Sequence, residues 1–375
     1  MGWGCASGCE ALAAAGTQVA MYEEAQGCCD ATSAALCGIL AAMVAQPSME
    51  SVQRAGCQAL SSFAVKNLGG EVFSMGGVEA LLGAMWAHPG SAALQEAGAN
   101  ALWAVCGWSK ERQARVGELG GVTALLRAME AHLPEASVQE ACLRLLKELA
   151  ARNAANQAAI AAEGGLQAVL AAMEAHSASA TLQEVACGVL RNMAAGNPQH
   201  QASIAALGGV LVVLRAMSSH HTVSNVQWAG CWALFCLSVR SGPVKAEAAA
   251  LGAIEGILEA LEVHLQAAKV QEAGCWALGE LATGGAASRE RITALGGADA
   301  VSRAAQAHPA STEVQKACRG ALQKLFWAGS NQAEVASCSA TCAPSCGRES
   351  KAGGQAAAGG RRRATAVNVL PTVWE

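Results

Sequence analysis

Seven glutamines divide this chain at near-constant intervals: Gln53, Gln95, Gln139, Gln183, Gln227, Gln271 and Gln315. The first interval is 42 residues and the next five are 44. Each glutamine follows Val or Leu, and each is followed seven positions later by a leucine, from Leu60 through Leu322. A period of this length, with apolar residues at helical spacing, denotes a stack of helical units that bury their apolar faces against their neighbours. The core of such an array grows lengthwise, so 375 residues need not divide into separate globular domains. Arrays of this kind mostly bind other molecules rather than catalyse.

Composition agrees. The chain is 53% hydrophobic and 14% charged, and much of the apolar share is Ala and Leu, the best helix formers. Four Phe, one Tyr, eight Pro and few β-branched runs argue against an all-β fold. A net charge of −4 gives no global reason to bind nucleic acid; the consecutive arginines Arg361 to Arg363 are a local exception. The longest apolar stretch, Ala31 to Ala45, falls short of the roughly 20 residues of a spanning helix and coincides with a helix of the first unit. The N-terminus lacks the basic-then-apolar order of a signal peptide and carries Glu10 early. The expectation is a soluble chain of the cytoplasm or nucleus, with no membrane or nucleic-acid partner.

Cysteine usage points the same way. Cys57, Cys187, Cys231 and Cys275 stand four after the glutamine, and Cys142 and Cys318 stand three after it. Periodic placement makes them small buried residues at a helix contact, kept reduced, rather than a disulfide framework.

Residues 164 to 206 show one unit. Gly164-Gly165 breaks the backbone, and Leu166, Val169, Leu170 and Met173 then predict an amphipathic helix from Gly165 to about His176. A loop from Ser177 to Thr181 leads to a longer helix from Leu182 to about Ala195. After Gly196-Asn197-Pro198 a short helix covers Gln201 to Leu207, and Gly208-Gly209 restarts the cycle. The doublet recurs every 44 residues from 76–77 to 296–297, and only Gly252-Ala253 departs from Gly-Gly. Three residues after each glutamine the side chain is always small, which is expected to let neighbouring long helices approach.

Three helices per unit, the Gly-Gly break, the block Val270 to Leu278 (VQEAGCWAL) and the block Leu182 to Ala194 (LQEVACGVLRNMA) together resemble the armadillo repeat. The resemblance covers roughly residues 5 to 327. It implies an all-α, right-handed solenoid of about seven units, with the long helices lining a concave groove. Gly8 to Leu12 reproduces the core of a long helix without its preceding helices, so residues 1–21 read as a partial unit, capping or truncated. Residues 22–327 read as the array. Residues 328–375, rich in Ala, Gly, Ser and Arg, read as a disordered tail. Met1-Gly2 with Cys5 and Ser7 approaches an acylation signal, but Ala6 stands where Ser or Thr is required.

Candidate sites follow from the period. His88, His132, His176, His220, His264 and His308 each precede a glutamine by seven. Rungs about 10 Å apart cannot converge on one zinc ion, so the imidazoles are expected to cap the C-termini of the middle helices. With only Asp30 and Asp299 as aspartates, no phosphate-binding glycine-lysine pattern and histidines that follow the repeat, no catalytic site or cofactor is implied.

Binding information is expected one, five and nine residues after each glutamine, on one helix face. Trp228, Trp232 and Trp276 fall there as candidate anchors, with Arg144, Asn192 and Glu280 as polar selectors. Importin-α-like relatives pair Trp with Asn four residues later. Here Trp232 is followed by Cys236, Trp276 by Glu280, and Asn192 is preceded by Gly188, so that pairing is absent.

In the tail, Arg362-Arg363-Ala364-Thr365 matches a basophilic-kinase pattern at Thr365, and Cys338, Cys342 and Cys346 are spaced by four. The function expected is a non-enzymatic scaffold binding an extended peptide or partner protein in the groove. The alternatives are a regulatory or structural arm of a larger signalling protein and an importin-α-like transport adaptor.

Overall fold

The computed structural model describes residues 31–326. The partial unit at 1–21, the acylation-like N-terminus, the tail, Thr365 and the three tail cysteines lie outside the described residues. Among the described residues every regular element is a helix, and the order is that of an α-solenoid.

From Gly77 onward the unit is uniform. A middle helix of 11 residues (Gly165–Ala175 in the type unit) leads to a long helix of 15 (Ala180–Ala194). A short helix of 9 (Pro198–Ala206) completes it. The long helix starts two residues before the expected point because the Ser179 hydroxyl accepts from the Leu182 amide and caps it. The short helix starts three residues early for a related reason. Asn197 caps it through the His200 amide, and Pro198 occupies the first turn, where a missing N–H costs nothing.

The 42-residue first interval is absorbed at one point. After the long helix Glu50–Phe63 the chain runs through a π-helical turn, Ala64–Leu68, in which Asn67 takes a left-handed conformation. The short helix that follows, Gly69–Ser74, has 6 residues instead of 9.

The glycine doublet has two separate causes. Its first residue is left-handed in every unit, with φ between +76° and +90° from Gly76 to Gly296, and turns the chain from short to middle helix. The second must lack a side chain. A Cβ on Gly165 would lie 2.5 Å from Ile160 Cγ2 and 2.6 Å from the Ile160 carbonyl oxygen.

The exception fits this cause. Ala253 has Ala248 five residues earlier, where the other units carry Val72, Val116, Ile160, Ile204 and Ile292. Gly165→Ala is therefore expected to destabilise by about 1–3 kcal/mol as an overpacking change. In an Ile160→Ala background the same change is expected to cost measurably less. A double-mutant cycle by denaturant unfolding checks this, since neighbours in contact couple.

Each repeated glutamine closes its own unit. Gln183 Nε2 donates to the carbonyl of Met173 at 2.8 Å, an orphan acceptor at the end of the middle helix, and to that of His176 at 3.1 Å, which also accepts from the Ser179 amide. All seven glutamines make this pair of bonds. This corrects the expectation for the histidines. Glutamine, not imidazole, satisfies the middle helix.

The imidazole instead ties one unit to the one before. His176 Nε2 donates to Leu133 O at 2.7 Å and His220 Nε2 to Ser177 O at 2.8 Å. The other four repeat the contact across the preceding loop. The sequence placed histidine beside unpaired carbonyls but could not show whose.

A second correction concerns the small residue three after the glutamine. A Cβ on Gly98 would meet Met85 Cγ at 2.6 Å, and one on Gly230 would meet Met217 Cγ at 2.5 Å. Both methionines belong to the middle helix of the same unit, so at these positions the missing side chain admits that helix rather than the neighbouring long one. Close approach between long helices falls at other positions: a Cβ on Gly279 would lie 2.9 Å from Ala321 Cα.

The periodic cysteines are buried and free of disulfides. Burial pushes the thiols of Cys57, Cys142, Cys187 and Cys231 up to about 12, so they behave as small apolar side chains. Cys275 and Cys318 lie with sulfurs 3.6 Å apart between two long helices.

No single helix among the described residues is long and apolar enough to cross a membrane. Pro198–Ala206 and Gly209–Ser219 reach that composition only as a pair, bent by 71° at the glycine break.

Candidate partner-binding face

Successive long helices pack side by side, and their shared face carries the aromatic residues. Trp228, Trp232 and Phe235 come from Ser224–Ser238, and Trp276 comes from Ala268–Ala282. The Trp232 and Phe235 rings meet edge to face with centroids 5.5 Å apart, and Phe235 meets Trp276 at 6.2 Å. One aromatic strip therefore bridges two units.

Its members differ in exposure. Trp232 is 9% exposed and belongs to the core. Trp228 and Trp276 are half-buried and pack against that core. Trp276 rests on Gly320 of the last described long helix, where a Cβ would lie 3.3 Å from the ring.

Cations already occupy Trp228. The Arg191 guanidinium lies 5.6 Å from its ring centroid and the Lys269 ammonium 5.9 Å from it, one from the preceding unit and one from the following unit.

Glu280 sits beside the strip with both carboxylate oxygens taken. Lys245 Nζ approaches one at 2.7 Å and Lys324 Nζ the other at 2.9 Å, while Lys245 also donates to Thr283 at 2.7 Å. Burial raises the Glu280 pKa, but the hydrogen bonds and charges of the two lysines more than offset this and hold it below the ordinary value. A carboxylate depressed on folding stabilises the fold above its unfolded pKa of about 4.3, and that stabilisation is lost as pH falls through the folded value. The loss of stability below about pH 4.3 is accordingly expected to shrink in Glu280→Gln, as urea unfolding between neutral and acidic pH would show.

The other two selectors lie further back. Arg144 stands on Ala136–Ala150 and pairs with Glu140 at 3.4 Å. Asn192, on Ala180–Ala194, donates to Lys147 O at 2.8 Å and accepts from Arg191 Nε at 3.3 Å. The structure thus gathers Trp228, Trp232, Trp276 and Glu280 on two adjacent helices. Arg144 remains two long helices from Trp228.

Several residues on this face escaped the sequence reading. Arg191 and Phe235 stand eight after their glutamines, and Lys269 two before its own, off the one-five-nine stripe. A helix face includes the i+7 position as well, which would have found the first two. Elsewhere Trp103 is 41% exposed and Trp108 92% exposed, in the second glutamine's unit. The middle helices form a different surface. A cleft of about 590 Å³ between Gly121–Ala131 and Gly165–Ala175 is rimmed by Arg127, Glu130, Glu163 and Gln167 and has no aromatic anchor.

Comparison with solved structures identifies the architecture. An engineered protein matches with a TM-score of 0.66 at 24% identity, over 77% of this chain and 68% of that one. A designed armadillo repeat protein, YIII(Dq.V1)4CPAF, in complex with the peptide (KR)4 matches with a TM-score of 0.53 at 18% identity, over 62% of this chain and 93% of that one. A structure described under the interaction between cadherin and beta-catenin matches with a TM-score of 0.66 at 16% identity, over 88% of this chain and 59% of that one. No protein-family model and no curated protein sequence matches. The chain has an armadillo-like helical repeat fold.

Proposed function

We propose that this protein is a non-enzymatic scaffold that holds an extended peptide or partner segment along the face of its long helices. The observation that carries this reading is the run of ring contacts from Trp232 through Phe235 to Trp276 across two units, with Trp228 one turn before Trp232 on the same helix. Trp228 and Trp276 keep part of their surface open while packing on the buried core. Rigid aromatic anchors with low ordering cost are the usual hot spots of protein recognition. Two of the similar structures support it by what they hold or concern: a peptide in one, cadherin and beta-catenin in the other.

Trp228 and Trp276 are the contact residues, Trp232 and Phe235 their support. Panning the full chain against displayed linear peptides, then cross-linking the selected peptides, tests this. Cross-links are expected on Ser224–Ser238 and Ala268–Ala282, and Trp276→Ala is expected to weaken binding at least tenfold with helicity retained. Peptides that cross-link to the middle helices, or bind Trp276→Ala unchanged, would contradict the proposal.

A further inference from the structure

At the boundary between the last two described units, two of the periodic cysteines meet. Cys275 stands on Ala268–Ala282, four after its glutamine, and Cys318 on Thr312–Phe326, three after its own. Their sulfurs lie 3.6 Å apart, and both residues are buried. Earlier boundaries do not repeat this couple. Cys57, Cys187 and Cys231 have glycine at the corresponding place in the next unit (Gly98, Gly230, Gly274), and Ala99 and Leu143 replace the first cysteine at the other two.

Small residues bring the two helices close beside the pair. A Cβ on Gly279 would lie 2.9 Å from Ala321 Cα, and the Trp276 ring covers Gly320. A disulfide holds its sulfurs about 2.05 Å apart, so the pair has to close by about 1.5 Å, within reach of side-chain rotation and a small helix shift. In the closed fold the pair is inert. The hydrogen bond to Cys318 and burial hold the Cys275 thiol well above its ordinary range, and the thiolate is the nucleophile. Reaction therefore starts from an opened boundary. Units of a repeat array contact only their neighbours, so one boundary can open while the rest of the stack stays folded.

We infer that Cys275 and Cys318 form an oxidisable pair, a modification site at which a hydroperoxide turns an opened boundary into a disulfide-clamped one. In the opened state one thiolate attacks the peroxide and becomes a sulfenic acid, and the displaced oxyanion takes up a proton as water or alcohol. On redocking, the second thiol attacks the sulfenic sulfur. The S–S bond forms, and the sulfenic hydroxyl leaves with the thiol proton as water. The two cysteines together lose two electrons, which the peroxide gains. A dithiol reductant reverses the step by exchange and becomes a disulfide itself. The clamp joins the helix that carries Trp276 to the helix on which that ring rests.

The test exposes the full chain to hydrogen peroxide, alkylates the remaining thiols and reads non-reducing digests by mass spectrometry. The expected product is a linked Cys275–Cys318 peptide, at least tenfold more abundant than any other link of Cys275. Its formation is expected to speed up several-fold in sub-denaturing urea, where the boundary opens more often, and dithiothreitol is expected to remove it. In urea unfolding the oxidised chain is expected to show a higher midpoint than the reduced one. Cys318→Ala and Cys275→Ala, treated alike, are expected to lose that increment. Alanine stands at the corresponding places beside Gln183 and Gln95 (Ala186, Ala99), so both variants are expected to fold.

Absence of the linked peptide, even in sub-denaturing urea, would overturn the inference. Links of Cys275 spread evenly over other cysteines would overturn it as well, because the fold would then not select the pair. An abundant link with an unchanged or lowered midpoint would overturn the clamp.

Discussion

Trp232→Ala is expected to destabilise the protein by about 3–5 kcal/mol, the cost of deleting a buried aromatic side chain. The magnitude follows from the ring's position: 9% exposed, edge-on to Phe235, which in turn meets Trp276 across the unit boundary. The substitution removes the support for two units at once. In a repeat array, stability is a sum of unit terms and interface terms, so a boundary lesion acts on the coupling as well. Chemical denaturation is expected to show a lower midpoint and, where coupling fails, a transition split into two phases. Trp276→Ala, with a half-buried ring, is expected to cost distinctly less. The pair separates the roles: the first residue supports, the second makes contact. Equal losses in both would mean that the strip is core throughout.

Gln183→Leu is expected to cost about 1–3 kcal/mol, although it replaces a polar group with an apolar one of similar bulk. Gln183 is 1% exposed, and its amide nitrogen donates to two carbonyls at the end of the middle helix. Leucine fills the space but leaves Met173 O without a donor, while His176 O keeps only its bond from the Ser179 amide. One buried acceptor left unpaired costs about 1–3 kcal/mol, more than the gain from burying the extra apolar surface. Thermal unfolding of the variant checks this. The same change at Gln95 or Gln227 is expected to give a similar loss, because the bonds there are the same: Met85 O and His88 O in one case, Met217 O and His220 O in the other.

The repeated elements were legible in the sequence because their causes are local and periodic. Gly164 and Gly208 are required by a backbone conformation, Leu190 and Leu234 by burial, and each cause recurs at the same offset. What stayed hidden were partners. The sequence located His176 at a helix end but could not reveal that its ring reaches back to Leu133 in the preceding unit. It located Gly98 and Gly230 but assigned the close approach to the wrong helix.

The candidate face suffered most from this. Glu280 reads as a free acid until Lys245, 35 residues earlier, and Lys324, 44 residues later, are seen to hold it. Trp228 likewise reads as an open ring until Arg191 and Lys269 are placed over it. Charge on such a surface is a property of three units together. No single unit's sequence states it.

The links between units are largely indifferent to which unit follows which. The histidine bond goes to a backbone carbonyl, and the glycine doublet meets Ile160 in one unit and Ile204 in the next with nearly the same geometry. Excising residues 165–208, one period of 44, joins Gly164 to Gly209 and places His220 where His176 stood relative to Leu133. Excising 22 residues, 165–186, removes half a period and leaves no equivalent surfaces to dock. If equivalent units stack by equivalent contacts, the first deletion keeps a strongly helical circular-dichroism spectrum and cooperative unfolding, and the second loses both. Equal collapse of the two variants, or equal tolerance of both, would contradict it.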